Sequence, residues 1–147
     1  MDRVRDWMAH PVITTDPGMS VANARQLMWH HNIRHLPVIQ GGFLVGMLSE
    51  RDVHTIDHTA SVALSSQQRA LLTGAYRSVR TVMMTAVQTV WPHDTMVYAA
   101  SVMAQWKIGA LPVVNGDEVV GMITTTDCLR ALVALHHTAA KETLPAD

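Results

Sequence analysis

The sequence predicts an α+β protein made of two tandem β-α-β-β-α repeats packed with pseudo-two-fold symmetry. Three observations predict it. The first is an internal repeat without gaps. Val4-Arg5-x-x-Met8 returns as Val79-Arg80-x-x-Met83, and the same displacement carries Thr14 to Thr89, Pro17 to Pro92, Met28 to Met103 and Ile33 to Ile108. It also carries Leu36-Pro37-Val38 to Leu111-Pro112-Val113, Gly41 to Gly116, Val45-Gly46-Met47 to Val120-Gly121-Met122, and Asp52 to Asp127. The second is that short β-like stretches and helical spacing follow one another in the same order in both copies. The third is size and composition: 147 residues, 48% apolar and 16% charged, supply a core and exclude general disorder.

Each copy opens with a short apolar stretch, Val12-Ile13-Thr14 or Val87 to Val90, that is β-like and ends at a proline. Ser20 and Thr95 are placed to cap a helix. Behind Ser20, Val21, Ala24, Leu27, Met28 and His31 fall at helical spacing; behind Thr95, so do Met96, Ala99, Val102, Met103 and Trp106. Leu-Pro-Val then leads into a turn at Gln40-Gly41-Gly42 or Asn115-Gly116-Asp117, and Phe43 to Leu48 or Glu118 to Ile123 completes a hairpin. A second helix starts at Ser49 and at Thr124. In the second copy it runs on through Leu129, Leu132, Val133 and His136.

The predicted divisions are a first repeat over 1–54, a linker over 55–78, a second repeat with a C-terminal helix over 79–137, and a loose tail over 138–147. The linker is expected to hold a short capped helix, from Ser65 to Leu72 with a glycine stop at Gly74. One repeat alone is too small to bury both faces of its sheet, so the two are expected to pack sheet against sheet.

Composition excludes several function classes. Eleven Lys+Arg against 12 Asp+Glu give a formal charge of −1, and so neutral a chain is a poor non-specific binder of nucleic-acid phosphates. One cysteine, Cys128, forms neither an internal disulfide nor a thiolate metal cage. No apolar run reaches the roughly 18 residues of a membrane span, and residues 1–10 carry charges where a signal peptide is apolar. A cytoplasmic protein with no membrane or nucleic-acid partner is expected. His54 and His58 are four apart near Asp57, but two ligands do not make a site, so no metal is assigned. There is no glycine-lysine phosphate loop, Gly-x-Ser-x-Gly elbow or Cys/His dyad, so no catalytic residue or cofactor is assigned and no enzyme is expected. Met28, Met47, Met103 and Met122 read as core filler, and Trp29 and Trp106 as core or dimer surface.

The candidate chemistry lies in Gly46-Met47-Leu48-Ser49-Glu50-Arg51-Asp52, repeated as Gly121-Met122-Ile123-Thr124-Thr125-Thr126-Asp127. Two readings stand side by side. In one, the glycine lets a ligand approach the strand end, the helix start favours phosphate, and the aspartate accepts hydrogen bonds from a ribose cis-diol. In the other, Ser/Thr-x-x-Asp is a capping box that satisfies the helix's own donors.

The tandem pattern resembles the CBS domain, named from cystathionine β-synthase, and the pair resembles a Bateman module. The likeness rests on the strand before a proline, Ile-x-x-Leu-Pro-Val, the hairpin glycine and Gly-x-x-[Ser/Thr]-x-x-Asp, in both copies over Val4–Val53 and Val79–Arg130. What it implies is a disc with two clefts between the repeats, binding AMP, ADP or ATP, with S-adenosylmethionine or a dinucleotide as other occupants. One cleft would use Ser49, Arg51 and Asp52 with Thr89 and Ile108; the other would use Thr124, Thr126 and Asp127 with Thr14 and Ile33. Residues ahead of Leu-Pro-Val face phosphates in the family. They are Arg34 and His35 in the first copy but Gly109 and Ala110 in the second. The first cleft is therefore expected to hold the more highly charged ligand. The resemblance implies a regulatory, energy-sensing homodimer that acts on a protein target. Two other readings stay open: an interaction scaffold with empty clefts, and a small nucleotide-processing enzyme.

Overall fold

The computed structural model describes residues 2–57, 65 and 77–142. Its elements run α1 (Val4–Trp7), α2 (Val21–His31), β1 (His35–Gln40), β2 (Phe43–Ser49), α3 (Glu50–Asp57), a 3₁₀ turn (Val79–Thr81), α4 (Met96–Trp106), β3 (Ala110–Asn115), β4 (Glu118–Thr124) and α5 (Thr125–Glu142). The linker helix expected over 65–72, with its stop at Gly74, lies outside the described residues except for Ser65; the tail expected to be loose from 138 is instead helical, as part of α5, up to Glu142, and only its residues beyond 142 lie outside them.

Local signals in the sequence set these boundaries. Ser20 Oγ accepts the Asn23 amide at 3.1 Å and Thr95 Oγ1 accepts the Tyr98 amide at 3.0 Å, satisfying donors the helices cannot. Each strand pair is an antiparallel hairpin with a register shift at the same place, Val38/Ile39 in one and Val113/Val114 in the other. Gly41 (φ +59°) and Gly42 (φ +84°) supply the left-handed conformations of the first two-residue turn; in the second only Gly116 (φ +63°) does. The stretches ahead of the prolines do not form strands. Each makes a single parallel bridge, Thr15 to Val38 and Val90 to Val113, because the chain turns away at Pro17 and Pro92 after one rung.

Two compact units emerge, and their boundaries cross the repeat. One is continuous, Ile13–Val87; the other joins Met1–Val12 to Gln88–Asp147. The segment that leads the first repeat therefore packs with the second hairpin. Ala9 and Met122 exchange two backbone hydrogen bonds, of 2.8 and 3.0 Å, and the Val4 amide donates to Asp94 O at 2.9 Å. The same pattern serves the continuous unit: Met84 and Met47 exchange two bonds of 2.9 Å, and the Val79 amide donates to Met19 O.

Each unit has its own core. In the continuous unit Val21, Ala24 and Met28 of α2 meet Leu36, Val38, Leu48, Val53 and Val79; in the other, Met96, Ala99, Val102 and Met103 of α4 meet Val4, Val90, Leu111, Val113, Ile123 and Ala131. The four repeat-matched methionines are buried, while Trp29 and Trp106 are exposed.

Candidate functional site

In both repeats the second hairpin strand delivers a hydroxyl side chain to a helix start. Ser49 ends β2 and Thr124 ends β4, and α3 and α5 begin one residue later. The Ser49 amide donates to Asp52 Oδ2 at 2.9 Å, and the Asp52 amide donates to Ser49 Oγ at 3.2 Å. The Thr124 amide donates to Asp127 Oδ2 at 2.9 Å, and the Asp127 amide to Thr124 Oγ1 at 3.4 Å. Both tetrapeptides are thus closed capping boxes. Each cap uses one carboxylate oxygen and leaves the other for something else.

What meets that second oxygen differs between the repeats. Asp127 Oδ1 receives Arg130 Nη1 at 3.5 Å, and its Oδ2 also accepts the Thr124 hydroxyl at 2.8 Å, so a side chain only 13% exposed is engaged on both oxygens. Asp52 Oδ1 accepts no hydrogen bond from a described residue. Arg130 was not among the residues singled out from sequence; the signal for it is Asp-x-x-Arg, one helical turn apart.

The residues ahead of each hairpin are tied to the same helix starts. The Glu50 amide donates to Arg34 O at 2.8 Å and the Thr125 amide to Gly109 O at 3.0 Å, while His35 lies opposite Ser49 and Ala110 opposite Thr124. In the first repeat this brings Arg34 and His35 beside the Ser49–Asp52 cap. Glu50 lies 3.8 Å from Arg34 Nε and 3.6 Å from His54 Nε2. Burial pushes the His35 pKa below its ordinary 6.5; Asp52 and Glu50 pull it up and Arg34 pushes it down. Arg51 is exposed in the first turn of α3. The second repeat has only Gly109, Ala110 and the exposed Thr126 at the matching places.

Gly46 and Gly121 do not open a path for a ligand, as their place in the motif suggested. Side-chain atoms fill the space: a Cβ at 46 would stand 2.6 Å from Met83 Sδ, and one at 121 would stand 2.5 Å from Met8 Sδ. These glycines admit the thioethers of the two leading segments. Thr14 is exposed, Thr89 is half-buried, and Ile33 and Ile108 pack against the core of their own unit. Thr89 and Ile108, grouped by the resemblance with Asp52, belong to the discontinuous unit; Thr14 and Ile33, grouped with Asp127, belong to the continuous one.

Among the described residues no three His, Cys, Asp or Glu side chains gather as a metal site, and no helix is long and apolar enough to cross a membrane. His58 lies outside them. Cys128 packs against the core of its unit, and burial raises its thiol pKa, followed by the charge of Asp127.

Comparison with known proteins adds four findings. The family model of the CBS domain matches residues 4–58 and 79–134. The CBS domain-containing protein YhcV of Bacillus subtilis is 32% identical over 127 residues, 86% of this chain and 83% of that protein. Inosine-5′-monophosphate dehydrogenase of Korarchaeum cryptofilum is 34% identical over 126 residues, but the chain spans only 23% of that enzyme's length. Among solved structures, the CBS domain pair of protein MJ0100, in complex with 5′-methylthioadenosine and S-adenosyl-L-methionine, superposes with a TM-score of 0.74. It is 26% identical, with 90% of this chain and 96% of that chain covered.

Proposed function

The chain belongs to the CBS domain family, and from that premise we propose that it is a regulatory module binding AMP, ADP or ATP. Its output passes through self-association or a protein partner, and no catalytic step is part of the reading. Asp52 is assigned to the ribose diol, through the oxygen its cap does not use. Arg34, His35 and Arg51 are assigned to the phosphates, which the positive end of the α3 dipole also favours. Competition between AMP and ATP there would make the module an energy sensor, in keeping with a cytoplasmic protein. The observation that carries the reading is the carboxylate asymmetry: among the described residues Asp127 is engaged on both oxygens, and Asp52 on one. Support for the ligand class comes from MJ0100, whose two bound molecules both contain adenosine.

A second reading is favoured by the closed caps themselves. Ser49–Asp52 and Thr124–Asp127 satisfy each other without a ligand, as in an interaction scaffold. Thermal unfolding with a panel of AMP, ADP, ATP and S-adenosylmethionine separates the two, because a ligand of the native state raises its stability. A shift with at least one adenosine compound is expected. None with any of them leaves the scaffold.

A further inference from the structure

The two thioethers that fill the glycine slots carry a chemistry that neither cap uses. Met8 and Met83 are half-buried. Each packs against the core of its own unit while its sulfur rests on a glycine of the neighbouring hairpin. Beside it the leading segment pairs with that hairpin at a single rung, Ala9 with Met122 or Met84 with Met47. The other described methionines stand differently. Met28, Met47, Met96, Met103 and Met122 are at most 8% exposed, which shields them from a dissolved oxidant. Met19 Sδ already accepts the Thr15 hydroxyl at 3.0 Å. Met84 is 51% exposed, and it is not the side chain that fills the Gly46 slot.

We propose that Met8 and Met83 are a matched pair of oxidation sites, at which hydrogen peroxide converts thioether to sulfoxide and frees both leading segments from their hairpins. The proposal stands apart from ligand binding and rests on none of it. A sulfur lone pair attacks one peroxide oxygen, the O–O bond breaks, and the proton of the transferred hydroxyl passes to the departing hydroxide. The sulfur is oxidised by two electrons, and the peroxide leaves as water. Three features make the sulfoxide incompatible with the slot. A Cβ on the glycine would stand only 2.6 Å from Met83 Sδ or 2.5 Å from Met8 Sδ, so an added oxygen has no room on that side. The polar atoms nearest those Cβ positions are carbonyl oxygens, Met84 O at 3.0 Å and Ala9 O at 3.2 Å, so a sulfoxide oxygen meets an acceptor and no donor. Turning that oxygen outward withdraws the side chain from the core it packs on. Because both slots are built alike, one oxidant acts on both units. Cys128 competes poorly, since burial raises its thiol pKa and leaves little reactive thiolate.

The test treats the folded full chain with hydrogen peroxide, locates each sulfoxide by peptide mass spectrometry and follows thermal unfolding. Met8 and Met83 are expected to oxidise in the native state, and the unfolding midpoint to fall by at least about 5 °C. The Met8→Leu/Met83→Leu variant keeps side-chain volume, and its midpoint is expected to fall by less than about 1 °C under the same treatment although Met84 still oxidises. Met84→Leu is expected to lose as much as the parent. Amide hydrogen exchange in the oxidised parent is a readout that needs no variant. The amides of Ala9, Met122, Met47 and Met84 are expected to exchange at least about tenfold faster. Methionine sulfoxide reductases with a thiol are expected to restore both the midpoint and the exchange rates. Met8 and Met83 left unoxidised while Met84 is fully oxidised overturns the proposal. So does their oxidation with midpoint and exchange unchanged, or an equal loss in the double-leucine variant.

Discussion

Met83 occupies the space where a side chain at Gly46 would begin. A methyl group there would lie 2.6 Å from Met83 Sδ and 3.0 Å from the Met84 carbonyl oxygen, and Met8 stands in the same relation to Gly121 at 2.5 Å. Neither glycine has a left-handed backbone, so what excludes a side chain is contact, not conformation. The thioether and the paired backbone behind it clip the leading segment onto the hairpin.

Gly46→Ala is therefore expected to destabilise the protein by overpacking, about 1–3 kcal/mol. Met83→Ala should relieve most of that cost. In a urea-unfolding double-mutant cycle the two changes are expected to couple strongly. Additive effects would mean that Met83 is not what Gly46 accommodates.

The two caps should differ in strength. Ser49→Ala is expected to cost about 1 kcal/mol, the usual value of an N-cap hydroxyl. Thr124→Ala should cost more, because its hydroxyl also donates to the buried Asp127 carboxylate. Equal losses in equilibrium unfolding would show that this second bond adds nothing.

His35 sets a dependence on acid. Its pKa is lowered in the folded chain, first by burial, so the unfolded chain binds the proton at a higher pH than the native one. Between the ordinary 6.5 and the lower folded value the unfolded state carries more protons, so stability falls as pH falls through that window. His35→Ala, compared with the parent between pH 7.5 and 5, should flatten that part of the profile. An unchanged slope would assign the acid sensitivity to other groups.

On the proposed ligand reading, Asp52→Ala should weaken AMP and ATP binding at least tenfold, since charge-assisted hydrogen bonds contribute ~1.5–3 kcal/mol each. Asp127→Ala should weaken it less, because Arg130 already holds its second oxygen. Calorimetry on folded variants is the measurement. Parent-like binding by Asp52→Ala would leave that residue a cap alone, and the reverse ranking would move the site to the second repeat.

What could be read from the sequence was what neighbours in the chain decide. Ser20 and Thr95 cap because their hydroxyls reach amides three residues on, and the hairpins turn at glycines that tolerate φ > 0. The Ser/Thr-x-x-Asp box was legible for the same reason, down to both of its readings. The crossing of the leading segments was not. Met8 and Met83 occupy the same place in the repeat, so each fits either glycine, and only the folded chain pairs Met8 with Gly121. Leu129 and Leu132 share the helical spacing of core residues, yet Ala131 takes the buried side of α5 and leaves them in water. The Arg130–Asp127 pairing depends on how a long side chain lies across a helix turn, which spacing permits but does not decide.

That crossing constrains how such a chain could have arisen. A single-repeat precursor has no second hairpin to receive its leading segment, so two precursor molecules would have had to exchange segments, as in a domain-swapped pair. Fusing two copies end to end makes the exchange intramolecular and replaces a concentration-dependent encounter with a fixed effective concentration. The repeat seen by sequence is thus the unit of inheritance, and the compact body that folds is a different cut of the same chain. Cutting the chain after residue 78 restores the old condition. That fragment should either associate with itself as its concentration rises or fail to hold its hairpin.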